Sequence, residues 1–321
     1  MTTLEPGTGR YERLLERCEG MEPLPTAVAY PCDESSLGSV LEAAQRGLIT
    51  PILVGPARKI AEVAREARFP SNDFRVVDVP DSRAAAAKAV ELVRLGEAEL
   101  LMKGSLHSDE ILGAVVAKDG GLRTGRRLSH AFLMDVPTYH KVLIVTDGAI
   151  NIAPTLEDKA DICQNAIDLA RAFGVERPKV AILAAVETVN SKMPATLDAA
   201  ALCKMAERGQ IKGGLLDGPL AFDNAISRDA ARTKGIKSEV AGDPDILLAP
   251  DLEAGNMLAK QLSFLANADS AGLVLGARVP VILTSRADSV RARIASCAVA
   301  ALAAHARRSP AMPAVPAGAG V

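Results

Sequence analysis

Two stretches towards the C-terminal end carry the residues best suited to chemistry. In APDLEAGN, which follows the apolar run ILLA, Gly255 permits close backbone approach and Asn256 supplies a side-chain donor. The pattern predicts a helix beginning near Gly255 and Asn256, with free N–H groups and a partial positive charge at that end. Lys260 follows one turn later at i+4 from Asn256, so both project from one face. In PVILTSRADS, Ser285 and Arg286 stand where an apolar strand ends and the last helix begins, close to Asp288. A hydroxyl and a guanidinium fork at a helix N-terminus make a receptor for a tetrahedral oxyanion. The same residues also fit a purely structural role, with Ser285 or Asp288 capping the helix and Arg286 solvated.

Those residues need elements to hold them, and the chain supplies a repeating scheme. A short apolar run, a turn and an amphipathic stretch recur: AVAYP then SSLGSVLEAAQRG, RVVDV then DSRAAAAKAVELVRLG, KVLIVTDG then TLEDKADICQNAIDLARAFG. Ser35 is a candidate cap with Gly47 as stop; Asp81 or Ser82 and Gly96 serve the next helix; Thr155 and Asp158 form a capping-box pair. Such alternation implies a mostly parallel, doubly wound α/β sheet. In these sheets ligands bind beyond the carboxyl ends of the strands. The strand ends here read Lys103-Gly104, Thr146-Asp147, Asp217-Gly218, Asp251 and Ser285-Arg286.

Bulk properties narrow the classes. With 321 residues and 49% hydrophobic content the chain builds a large core, and with 3% aromatics that core is aliphatic. A net charge of −2 gives no global pull on nucleic acid or an anionic membrane, so any phosphate must be held by local cations. The five cysteines and four histidines are scattered without a CxxC pair, which argues against a zinc site or a disulfide framework and suits a reducing cytosol. No signal peptide or membrane span is expected. GxxxxGK[ST], an early GxGxxG and GxSxG are missing, against a P-loop kinase, a simple dinucleotide fold and a serine hydrolase.

Taken together in order, MKGSLHSDEILGAV, SHAFLMDVP, TDGAINIAPTLEDKADICQNA, LLDGPLAFDNAIS, APDLEAGNMLAKQL and PVILTSRADS resemble the phosphate acetyltransferase/phosphate butyryltransferase family. The resemblance runs from about Glu99 to Arg307. It implies a two-domain α/β fold of the isocitrate/isopropylmalate dehydrogenase-like type, with the active site in the interdomain cleft. On that analogy residues 1–136 with 276–308 form the first domain, 137–275 the second, and 309–321 a disordered tail. The implied activity is transfer of a short acyl group, acetyl ahead of butyryl, between coenzyme A and inorganic phosphate. Coenzyme A would be a substrate, with no tightly bound cofactor and no metal, in a cytoplasmic homodimer.

The family's Ser-Arg pair maps onto Ser285 and Arg286, as oxyanion donor and phosphate holder. Its Gly-Asn motif maps onto Gly255 and Asn256. Two departures lean towards the butyryl-like branch. The acetyl branch's proposed carboxylate base falls on Ala292, which leaves Asp288 or solvent to assist. HSDEILGAV lacks the basic residue of the acetyl branch, so Arg123, Arg126 or Arg127 is left to supply that phosphate contact, while Lys103, at a strand end, fits phosphate binding and a solvated surface position about equally. Ala292 also keeps open a non-catalytic acyl-CoA or phosphate sensor, and the implied fold a metal- and NAD-dependent dehydrogenase.

Overall fold

The computed structural model describes residues 9–69, 74–284 and 288–308. The Ser285-Arg286 pair and the tail from 309 lie outside the described residues. In chain order the elements are α1 (Arg10–Glu16), β1 (Leu24–Ala29), α2 (Glu34–Gln45), β2 (Ile49–Gly55), α3 (Ala57–Glu66), β3 (Arg75–Asp78), α4 (Ser82–Arg94), β4 (Leu100–Lys103) and α5 (Ser108–Val115). Next come β5 (Ser129–Asp135), β6 (Leu143–Thr146), α6 (Leu156–Ala172), β7 (Lys179–Leu183), α7 (Pro194–Glu207), β8 (Leu215–Leu220), α8 (Phe222–Ile226) and α9 (Arg228–Thr233). The chain ends with β9 (Ile246–Leu248), α10 (Leu252–Leu265), β10 (Asp269–Leu275), β11 (Val281–Ile282) and α11 (Val290–Arg308).

The chain divides into two units, with crossings after Arg126 and after Ser270. The sequence analogy put the crossings near Val136 and Gly276. In the unit built on Gly9–Arg126 and the chain from Ala271, strands run in the order β3-β2-β1-β4-β11-β10. All neighbours there are parallel except β10 and β11. In the unit Arg127–Ser270 the order is β5-β6-β9-β7-β8, with only the β5–β6 pair antiparallel. The inner parallel strands β4 and β6 read as apolar runs because both of their faces are covered, and both are buried throughout.

Local signals decide the helix starts. Asp81 caps α4 through the Ala84 N–H, and Thr155 with Asp158 closes the capping box of α6. At α2 the cap is Asp33, which accepts the Ser36 N–H at 2.7 Å, and not Ser35. Asp33 has the extended backbone a cap requires (φ −140°), whereas Ser35 already lies inside the helix. Gly47 follows α2 in the left-handed region at φ 70°, the stop the sequence predicts.

At the amino ends of β7 and β9, one carboxylate gathers several cations. Asp243 accepts from Lys179 Nζ at 2.7 Å and His140 Nε2 at 2.8 Å, and Arg228 lies at 3.1 Å and Lys141 at 3.2 Å. Burial pushes this carboxyl up, but hydrogen bonds from Lys179, His140 and Lys141 outweigh it and hold it well below the usual carboxylate range. A depressed pKa contributes stability that is fully present above the unfolded value near 4 and is lost as pH falls through the folded one. Asp243→Asn should therefore lower unfolding free energy by about 2 kcal/mol at neutral pH, the scale of charge-assisted hydrogen bonds. Urea unfolding should show the gap to wild type narrowing below about pH 4, while activity at neutral pH is retained.

Candidate active site

Parallel pairing sets β6 beside β9, with Thr146 opposite Leu248, so the loops leaving their carboxyl ends rise together. The chain leaving β6 turns at once. The buried Asp147 carboxylate accepts the N–H groups of Ala149 (2.9 Å), Ile150 (3.1 Å) and Asn151 (3.2 Å), and the Asn151 Nδ2 as well. Its acceptor capacity is therefore committed to shaping the turn.

The chain leaving β9 enters α10 earlier than the sequence predicts. Asp251 is the cap, its carboxylate accepting the Ala254 N–H at 2.9 Å, and the helix begins at Leu252. An Asp in extended conformation out-competes Gly or Asn further along for the cap position. The Gly255 N–H is consequently not free, since it donates to the Asp251 carbonyl at 3.1 Å. Gly255 meets a different demand: a Cβ there would lie 2.3 Å from the Asp147 carbonyl oxygen. The close approach foreseen at this glycine is made by the β6 loop. Asn256 donates Nδ2 to the Gly148 carbonyl at 2.9 Å and so ties α10 to the same loop. Lys260, one turn on, is exposed.

Arg127 joins this group through Asn151. Its Nε donates to Asn151 Oδ1 at 2.8 Å and lies 3.5 Å from Asp158, while Asn151 Nδ2 also donates to the Leu128 carbonyl. Asn151 is 3% exposed. Sequence reasoning gave it no role, although it stands within TDGAINIAPTLED; an Asn among loop residues carries no signal of which backbone groups it will bridge.

The other unit holds Lys103 and the approach to the Ser-Arg pair. Lys103, at the carboxyl end of β4, is 6% exposed and donates Nζ to the Thr284 carbonyl at 3.3 Å, which rules out a solvated surface lysine. Thr284 immediately precedes Ser285. At the start of α11 the cap is Ser289, whose Oγ accepts the Ala292 N–H at 3.1 Å. The role of helix cap considered for Ser285 and Asp288 is thus filled by their neighbour. Ala292 sits in the first turn of α11 with no ionisable group to offer. Four of the five cysteines are buried and Cys203 is half-buried, so none presents a ready thiolate. Burial pushes the Cys18 and Cys32 thiols up to about 11 and those of Cys203 and Cys297 to about 12, and raises that of Cys163 as well.

Comparison with known proteins decides the family. Residues 82–301 match the family model described as "Phosphate acetyl/butaryl transferase". The chain belongs to the phosphate acetyl/butyryl transferase family. It is 64% identical over 300 residues to a phosphate acetyltransferase of Rhizobium meliloti, covering 94% of this chain and 95% of that one. A phosphate butyryltransferase of Clostridium acetobutylicum is 43% identical, covering 92% and 98%. The crystal structure of a branched-chain phosphotransacylase from Enterococcus faecalis V583 superposes with a TM-score of 0.77 at 30% identity, over 88% of this chain and 99% of that one. The sequence-based reading of family, α/β fold class and acyltransferase activity stands on these findings. Among the described residues no helix is long and apolar enough to cross a membrane.

The tight passage at Gly255 gives a direct test. Gly255→Ala should cost about 1–3 kcal/mol of stability by overpacking, and should depress activity further than the stability loss explains, because the Asp147–Gly148 loop must move. Thermal unfolding and turnover on the same preparation check both; an unchanged melting temperature would contradict the close approach.

Proposed function

We infer that this enzyme moves an acetyl group reversibly between coenzyme A and inorganic phosphate, with butyryl as a secondary acyl group. The observation that carries the reading is near end-to-end 64% identity to a phosphate acetyltransferase, against 43% to a butyryltransferase. That difference weighs against the butyryl lean drawn from Ala292 and HSDEILGAV. Coenzyme A acts as substrate rather than resident cofactor, and the enzyme works as a cytoplasmic homodimer.

The chemistry requires a thiolate, an acyl carbonyl held beside it and a stabilised phosphate. A thiol of pKa about 8.5 is already a few per cent ionised at neutral pH, so complete deprotonation contributes only about 2 kcal/mol. Orientation in a ternary complex contributes roughly 7–11 kcal/mol and one oxyanion donor about 3–4. Loss of a dedicated base at Ala292 is therefore compatible with fast transfer. In this mechanism Ser285 donates to the developing oxyanion and Arg286 holds the phosphate, without an acyl-enzyme. Asp288 assists the thiol proton, a role supported by Ser289 taking over the cap. Lys103 fixes the chain entering Ser285, and Arg127 and Lys260 add positive charge for phosphate. Gly255 and Asn256 hold the loop after β6 in place.

Purified protein given coenzyme A with acetyl phosphate should form the thioester, faster than with butyryl phosphate. Arg286→Ala should lower kcat/KM by about 10²–10³-fold, the scale of a lost charge-stabilising donor. Tight coenzyme A binding without turnover on either acyl phosphate would replace this reading with that of a sensor.

A further inference from the structure

Arg127 is held at more points than an exposed arginine requires. Its backbone N–H donates to Asp161 Oδ2 at 2.8 Å, and its carbonyl accepts from Asn165 Nδ2 at 2.9 Å. Its Nε donates to Asn151 Oδ1 at 2.8 Å. Asn151 is itself fixed, because Nδ2 bonds both the Leu128 carbonyl (2.8 Å) and the Asp147 carboxylate. The amide therefore has one orientation, and its oxygen can face only Arg127.

A guanidinium is planar and carries its donors in a rigid fork. The bond at Nε restrains that fork and engages neither terminal nitrogen. The side chain is 55% exposed, and among the described residues those terminal nitrogens have no hydrogen-bond partner. Asp158, 3.5 Å from Nε, offsets part of the charge from the opposite edge. What remains open is the edge that pairs two parallel N–H groups with two oxygens of a phosphoryl group.

The geometry points to Arg127 as a bidentate receptor for a phosphoryl oxyanion of the substrates, with Asn151 as the positioning residue that aims it. This rests on the transferase reading for which phosphoryl group is bound: that of the acyl phosphate and inorganic phosphate, or one on coenzyme A.

Steady-state kinetics of Arg127→Ala, Arg127→Lys, Asn151→Ala and the Arg127→Ala/Asn151→Ala double variant test it. Arg127→Ala should raise one KM tenfold or more with kcat changed by less than threefold. Arg127→Lys should not restore it, since an ammonium lacks the fork. Asn151→Ala should raise the same KM, and the double variant should be no worse than Arg127→Ala alone, whereas a merely structural Asn151 would give multiplying effects. A rise confined to acetyl phosphate and inorganic phosphate assigns the receptor to those. A rise confined to coenzyme A, with wild type losing the same factor on dephospho-coenzyme A, assigns it to the 3′-phosphate. Unchanged KM values for every substrate in Arg127→Ala would overturn the proposal, as would multiplying effects for the positioning role. If Asn151→Ala fails to fold, the exposed Arg127 variants still decide the receptor. If the wild type proves inactive, thermal stabilisation by inorganic phosphate or coenzyme A decides instead: lost in Arg127→Ala it supports the receptor, and retained or absent from wild type it refutes it.

Discussion

The passage of the Asp147 carbonyl against Gly255 is the contact on which the loops at the carboxyl ends of β6 and β9 depend. With any Cβ at that point excluded by an oxygen 2.3 Å away, α10 and the loop after β6 can close together only because residue 255 is glycine. Given that closure, Asn256 reaches the Gly148 carbonyl, and the Asp147 carboxylate gathers the turn through Asn151. Asn151 in turn reaches Arg127. A chain of hydrogen bonds thus runs from a helix to a guanidinium, and each link presupposes the one before it. Buried polar chains of this kind specify a single arrangement because a half-made version leaves desolvated groups unsatisfied.

How much of this was legible in the sequence follows from what local pattern encodes. The parallel strands stood out because most are apolar runs followed by a helix, several of which carry a capping Asp or Thr. β5 and β10 did not, since each pairs antiparallel with a neighbour and breaks the strand–helix alternation. The start of α10 was misplaced because Asp251, Gly255 and Asn256 all fit a helix entrance, and only backbone conformation separates them. Motif order was enough to name the family, since order survives where individual spacing is ambiguous. Which residue supports which was not, because Asn151 and Lys103 act on backbone carbonyls, and a carbonyl has no letter in the sequence.

The sheet edges divide the labour between stability and chemistry. In the unit Arg127–Ser270 the amino ends of β7 and β9 carry the Asp243 cluster, a closed set of ion pairs with its charges satisfied by one another. The carboxyl ends of β6 and β9 carry the turn and the helix entrance, and Arg127 lies level with them just before the antiparallel β5. Ligands prefer the latter edge because helix N-termini converge there. Placing the self-satisfied charges at the other end keeps them from competing for an anionic substrate.

The fate of the thiols has a consequence for an enzyme of this family. Acyl phosphates are acylating agents in their own right, and thiolates are the side chains they modify most readily. Four of the five cysteines are buried, Cys203 is half-buried, and burial holds the proton on each, so thiolates that could rival coenzyme A for the acyl group are scarce. The same burial denies coenzyme A disulfide a partner for exchange. For an enzyme working beside an electrophile and a thiol, packing thus lowers the exposure of its own sulfur to both reagents.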